Sequence, residues 1–218
     1  MQKFDTTAPI TTVLDIPAGR VQFIAADRAD TTVEVRPADA SKSRDVKVAE
    51  QTTVQYAGGV LRIVASARNQ ILGSSGSIEV TVQLPTGSQV DAKAAAAEFR
   101  AVGRFGAVAF DGEQGDIKVD EAASVRFTTK AGNVSVGRLN GSGEITTMQG
   151  DLTIDEAVSG TVVLTTQAGD ISVGSAASAA LDAGTTLGRV QNSLKNSGET
   201  DLTIKATTTK GDITAHTL

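Results

Sequence analysis

A column of aspartates is the first feature whose residue type and spacing could do chemistry. Directly after six recurring glycines stand Asp116, Asn133, Asp151, Asp170, Arg189 and Asp212. If the chain coils so that these positions stack, the carboxylates repel one another unless they are solvated or share a cation. Calcium-binding repeats of the Gly-Gly-x-Gly-x-Asp kind return about every nine residues, and this spacing is twice as long. The sequence therefore favours each aspartate capping a turn through nearby backbone amides, with Asn133 and Arg189 diluting the charge.

Two further acidic groups, Asp120-Glu121-Ala122 and Asp155-Glu156-Ala157, repeat at what would be corners two coils apart. Stacked strands would hold them at roughly 9.6 Å between backbones, within the range of an inverting glycosidase pair. Aromatics are only 3% of the chain, with one Tyr and no Trp, so a sugar would have nothing to stack on. Solvated corner residues are the simpler reading.

Threonines form a third series. Thr129, Thr147, Thr166, Thr185 and Thr208 stand three residues before the repeat glycines, and Thr128, Thr146, Thr165, Gly184 and Thr207 stand four before. Neighbours on a strand point to opposite sides. The outward column flanking the second set is Arg126, Glu144, Val163, Asp182 and Lys205. A flat ice-ordering Thr-x-Thr face is thus absent, and inward hydroxyls bonding across coil corners are expected instead.

Most other catalytic machinery is missing. The chain has no Cys and one His, His216, two residues from its end, where a fraying terminus is expected. Thiol chemistry and zinc or iron–sulfur ligation drop out. No G-x-S-x-G, phosphate-loop or dinucleotide fingerprint occurs. The reading is accordingly no enzyme, no cofactor, and no catalytic, cofactor-binding or metal-ligating residue. A net charge of -5 disfavours nucleic acid or an anionic membrane as partner.

The elements that must position these residues follow from a repeat. GDIKV, GNVSV, GDLTI, GDISV, GRVQN and GDITA begin at Gly115, Gly132, Gly150, Gly169, Gly188 and Gly211, spaced 17, 18, 19, 19 and 23 residues apart. The last spacing holds the polar insertion SLKNSGET, 193 to 200, which reads as a protruding loop. Residues two and four after each glycine are mostly apolar: Ile117/Val119, Val134/Val136, Leu152/Ile154, Ile171/Val173, Val190/Asn192 and Ile213/Ala215. Such alternation makes a short strand with one buried face. A second strand precedes each glycine, with Phe127/Val125, Ile145/Gly143, Leu164/Val162, Ala183/Leu181 and Ala206/Ile204 inward.

Two short strands in about 18 residues leave no room for a helical crossover. The simplest solution is an all-β parallel β-solenoid with coil hydrogen-bonded to coil; antiparallel hairpins would demand an Asn-Gly-type turn at each corner, and only Asn140-Gly141 qualifies. In the less regular first half, strands are expected at Thr11 to Ile16, Arg20 to Ala25, Thr32 to Arg36, Val46 to Tyr56, Val60 to Ala65 and Ser77 to Leu84. AKAAAAEF, 92 to 99, reads as small residues filling a coil interior, a short helix being the alternative. The polar stretch 66 to 77 reads as a mobile loop. The whole chain, 1–218, reads as a single domain, with irregular coils over 1–110 and regular ones over 111–218.

These residues carry a family likeness. IEVTVQLPTGSQVDAKAAAAEF, followed by QGDIKV, TTKAGNVSV, TTMQGDLTI and TTQAGDISV, resembles the bacterial β-strand-repeat family of unknown function labelled "putative adhesin". DIPAGRVQFIAADRADTTVEVRP is similar to that family's opening strands, so the resemblance spans nearly the whole chain. It implies a right-handed β-helix-like solenoid and carries over no catalytic residue.

The function expected is a non-enzymatic, adhesin-like binding or scaffolding module with an unidentified macromolecular partner. The alternatives are a structural protein that self-assembles into homo-oligomers through an exposed C-terminal coil, Asp212 to Ala215, and, ranked lowest, a carbohydrate-active enzyme using the corner carboxylates. No basic leader, and no run of about 18 apolar residues that could insert in a membrane, is visible in the sequence. Residence in the cytoplasm is therefore expected, with secretion or the cell surface as the alternative.

Overall fold

The computed structural model describes residues 1–65 and 76–218; most of the expected loop, 66–75, lies outside the described residues. The chain divides into two compact units, Met1–Gly115 and Asp116–Leu218. Strands dominate both, and most pairings are parallel.

In the first unit the elements are β1 (Gln2–Asp5), β2 (Thr11–Ala26), β3 (Asp30–Pro37), α1 (Ser43–Gln51), β4 (Thr52–Ala57), β5 (Val60–Ala65), β6 (Ile78–Pro85) and β7 (Gln89–Gln114). Strand β2 is the spine: it pairs in parallel with β5 and β6 on one side and with β7 on the other. The two short strands expected over 11 to 25 are thus one strand running through Pro17 and Gly19. Gly19 has φ +140°, and a Cβ there would lie 1.8 Å from the Ile78 carbonyl oxygen. Strand β3 pairs antiparallel with β6 and β1, and β4 with β5. AKAAAAEF is strand, as expected, with Ala92, Ala94, Ala97 and Phe99 turned inward. Phe99 touches Phe23 and Phe110 in tilted pairs with centroids 5.7 and 5.3 Å apart.

One expected strand is corrected. Of Val46 to Tyr56, only Thr52 onward is strand, because Ser43–Gln51 forms α1. The Val46-Lys47-Val48 alternation imitates a strand, but the helix formers Lys47, Ala49, Glu50 and Gln51 surround it. Val48 is buried, and the Thr52 hydroxyl closes the helix by donating to the Val48 carbonyl at 2.8 Å. Buried Asp45 accepts the Ser77 backbone N–H at 2.9 Å, fixing the helix to the start of β6.

Two side chains of this unit make testable statements. The Thr12 hydroxyl is buried without a hydrogen-bond partner among the described residues. Thr12→Val should therefore be neutral or stabilising by up to about 1 kcal/mol, since it removes an unmade bond at constant shape; a loss of stability on chemical denaturation would show that the hydroxyl is satisfied. Asp30 receives Arg28 at 2.7 Å and Lys3 at 3.0 Å. The hydrogen bond from Arg28, then that from Lys3, lowers its pKa from 3.8 to about 2. A depressed carboxylate contributes stability that is present above its unfolded pKa and is lost as pH falls through the folded one. The melting difference between the parent and Asp30→Asn should accordingly be full at neutral pH and fade between about pH 4 and 2.

The second unit holds β8 (Ile117–Thr128), β9 (Val134–Leu139), β10 (Gly143–Thr146), β11 (Leu152–Ala157), β12 (Gly160–Ala168), β13 (Ile171–Ser175), β14 (Ala179–Leu187), β15 (Val190–Ser193), β16 (Leu202–Lys210) and β17 (Ile213–Thr217). They stack in two parallel ladders. One runs β8, β10, β12, β16, β14. The other runs β8, β9, β11, β13, β17, β15. The inward columns Phe127, Ile145, Leu164, Ala206 and Ile117, Val134, Leu152, Ile171, Ile213 are 0–1% exposed. Each large aliphatic in them gains about 1.5–3 kcal/mol from burial.

The order of the coils corrects the expectation of a C-terminal edge. The last stretch, β16 and β17, is paired on both sides, and the preceding stretch, β14 and β15, takes the end of the stack. The insertion between β15 and β16 gives the chain the length to double back. Burial explains the choice. The later coil offers Leu202, Ile204, Ala206, Ile213 and Ala215 inward, whereas the earlier one has Ala179, Leu181, Ala183, Val190 and Asn192 at the matching positions, smaller at Ala179 and polar at Asn192. Burying Asn192 without partners would cost about 1–3 kcal/mol, so the apolar coil sits inside. Val190, expected to be buried, is 44% exposed for the same reason. His216, expected on a fraying end, lies in β17 between Gly174 and Ser193.

Candidate functional site

The candidate site residues are set by three corner systems of the second unit, each built on glycine. Gly150, Gly169 and Gly211 have φ of +141°, +154° and +147°, and a Cβ on any of them would come within 2.0–2.1 Å of the glycine carbonyl in the coil below. The backbone thus passes closer to its neighbour than any side chain permits.

On that corner the aspartate column becomes a hydrogen-bond relay. Asp116 accepts the N–H of Asn133 at 2.8 Å, Asn133 that of Asp151 at 2.9 Å, Asp151 that of Asp170 at 2.8 Å. Asp170 accepts the N–H of Asp212 at 2.7 Å, and Asp212 that of Arg189 at 2.9 Å. The sequence located the capping aspartates but placed the caps within their own turns; the acceptor in fact reaches the next coil, a contact that only stacking creates. The Arg189 backbone and then its guanidinium hold the Asp212 carboxyl below the usual carboxylate range. With one oxygen of each carboxylate committed to an amide, the column is an intercoil clamp, and no three-acid or histidine cluster fit for a metal occurs among the described residues.

The inward threonines complete the corner. Thr129, Thr147, Thr166 and Thr208 are 1–3% exposed. Thr166 donates to the Gly150 carbonyl at 3.2 Å, Thr208 to Gly169 at 3.1 Å and Thr185 to Gly211 at 2.9 Å. For these three the expected bonds across coil corners are present and satisfy the carbonyls that the close-packed glycines bring together, whereas Thr129 and Thr147 donate to the Ala131 and Gln149 carbonyls two residues on, at 3.5 and 3.2 Å.

The corner carboxylates are brought into one column, with a cation between them. Glu121 is in register with Arg138, and Arg138 with Glu156. The Arg138 guanidinium is hydrogen-bonded to Glu156 and donates to the Asn140 amide oxygen at 3.1 Å, while the Asn140 amide donates to Glu121 at 2.9 Å. Asp120 and Asp155 lie on the coils to either side of Gly137. A proton-transfer pair needs an open gap for substrate; here Arg138 and Asn140 fill the gap between the two glutamates.

In the first unit, strands β2, β6 and β7 surround an open cavity of about 440 Å³ lined by Gly19, Arg20, Glu79, Glu98, Gln114 and Gly115 among others. Arg20 lies in register between Glu79 and Glu98 and contacts them at 3.5 and 2.9 Å. The hydrogen bond to Glu98, followed by the charges of Glu98 and Glu79, raises the Arg20 pKa. Two carboxylates already answer this guanidinium, so the cavity offers a bound anion no net positive charge. Sequence reasoning missed the cavity, because the Arg20–Glu79–Glu98 row depends on the register of three strands distant in sequence.

What remains outward is a ladder face of the second unit. Arg126, Glu144, Val163 and Lys205 follow one another along it beside Thr128, Thr146, Thr165 and Thr207; Val163 and Thr165 are half-buried and the rest are exposed. Arg126 and Glu144 are 3.6 Å apart and well solvated, a pair worth little to stability and accessible to a partner.

Comparison with known proteins gives a consistent pattern. The family model described as Toastrack DUF4097 matches residues 13–217. No curated protein matches. Among solved structures, the chain is similar to a "putative adhesin" from Parabacteroides distasonis, at 12% identity and TM-score 0.48 over 98% of this chain and 95% of that one. It is also similar to a "putative adhesin" from Bacteroides fragilis, at 11% identity and TM-score 0.47 over the same shares. A "putative cell adhesion protein" from Clostridium sporogenes matches at 12% identity and TM-score 0.38 over 100% and 98%. No helix among the described residues is long and apolar enough to cross a membrane.

Proposed function

The chain belongs to the Toastrack DUF4097 family, and on that premise we propose that it is a non-enzymatic, adhesin-like binding module. Its regular half is a right-handed β-solenoid with a period of about 18 residues, and one outward ladder face receives a macromolecular partner. The observation that carries this reading is the division of labour among polar groups. The aspartate column, Thr166, Thr208 and the corner glutamates are spent on intercoil bonds, whereas the row of Arg126, Glu144, Val163 and Lys205 with its threonines is held in register and turns its charged members to solvent. A stiff parallel sheet presents successive strands at intervals of roughly 4.8 Å, with Val163 between Glu144 and Lys205, and this fixed spacing preorganises the row for an extended partner.

The test is binding of the immobilised full chain to panels of glycans and extracellular-type proteins. Saturable binding that Arg126→Glu with Lys205→Glu weakens at least tenfold, at unchanged melting temperature, supports the reading. Binding indifferent to both substitutions would remove this face as the site. Turnover of any polysaccharide on the same panel, lost in Asp120→Asn with Asp155→Asn, would restore the enzymatic alternative.

A further inference from the structure

The end of the second unit's stack is an open sheet edge, and its longer strand, β14, lacks the usual defences. Among the described residues, β14 pairs only with β16 and β15 only with β17; the Ala179 N–H at the start of β14 is taken by the Lys195 carbonyl at 3.0 Å, and the far side from Leu181 to Thr185 is left free to pair. Exposed edges are normally guarded by lysines, prolines, bulges or very short strands. Here β15 has only four residues, but β14 runs for nine with no Pro, no Lys and a single charged residue, Asp182. Leu187 and Val190 stand 65% and 44% exposed at the corner between them. The outermost strands of the first unit are managed differently: β1 and β4 are short, antiparallel, and tied together by the Phe4–Tyr56 ring contact at 5.5 Å, with Lys3 on β1.

We propose that this edge binds a second copy of the chain by antiparallel pairing of β14 with β14 across a two-fold axis. The residue pattern is complementary to itself. In the register centred on Ala183, Asp182 faces Gly184 of the other copy, so the one charge of the strand meets no like charge. In the same register Leu181 faces Thr185, and the pairing ends there, because the Ala179 N–H is held by Lys195 and the Leu187 carbonyl by the Gly211 N–H at 2.9 Å. A two-fold contact uses the same patch on both subunits, and one such edge per chain closes the assembly at two. The idea does not depend on the binding face proposed above, which lies on different residues.

Sedimentation velocity of the full chain over two decades of concentration tests it. A monomer–dimer equilibrium is expected, and Leu187→Lys with Val190→Lys should return the chain to monomer without altering its melting. The chain has no cysteine, so Asp182→Cys and Gly184→Cys can report the register. An equimolar mixture of the two variants should form disulfide-linked dimers under mild oxidation far more readily than either alone. A chain that stays monomeric throughout, a dimer indifferent to the lysine substitutions, or growth into polymers would each overturn the proposal.

Discussion

Gly169→Ala is expected to destabilise the second unit by roughly 3 kcal/mol or more, the combined cost of a strained backbone and a steric collision. Gly169 sits at φ +154°, and the added methyl would stand 2.0 Å from the carbonyl oxygen of Gly150. That oxygen cannot yield, because it is also the acceptor of the Thr166 hydroxyl at 3.2 Å. The neighbouring relay from Asp170 to Asp151 at 2.8 Å would be pushed out of reach by the same displacement. A loss of this size corresponds to a fall in melting temperature of about 10 °C for a chain of this length. Gly184→Ala is the control: its Cβ would meet nothing within 4 Å, and removing glycine from a strand reduces unfolded-state freedom. Equal melting of the two variants by circular dichroism would mean that the coils do not approach each other at the glycine corner.

The same corner shows what was legible in the sequence. The glycine spacing, the paired inward apolar residues and the inward threonines all followed from period-two alternation, which is a local property. Asp116, Asp151 and Asp170 are recognisable as caps from residue type alone, but the amides they accept lie 17, 19 and 42 residues away. Local chemistry specifies that such a group wants an amide; only the stack decides which amide. The row Arg20, Glu79, Glu98 was out of reach for a related reason, since its three strands are joined by long connections that fix register only once folded. Helix α1 is masked in the sequence, where Val46 and Val48 imitate a strand beside strong helix formers. The candidate binding face was legible as a list of outward residues and became a site only when the ladders put Arg126, Glu144 and Lys205 in one plane of pairing.

The coil order gives the second large effect. Ile171→Asp should cost about 4 kcal/mol or more, because it buries an unpaired charge in a column where Leu152 and Ile213 stand on either side. That is a large part of the total stability of an ordinary domain, so the variant should lose its cooperative unfolding transition at low denaturant. Val190 occupies the same column, one coil beyond Ile213, and the sequence alone assigns it the same inward role. If the chain stacked in sequence order, Val190 would lie between two coils and Val190→Asp would be as damaging as Ile171→Asp. With β15 at the end of the stack and Val190 44% exposed, the new carboxylate remains in water and the change should stay within about 0.5 kcal/mol. Denaturant titration of the pair therefore separates the two coil orders. A severe Val190→Asp would return β14 and β15 to the interior and close the edge on which pairing of two chains depends.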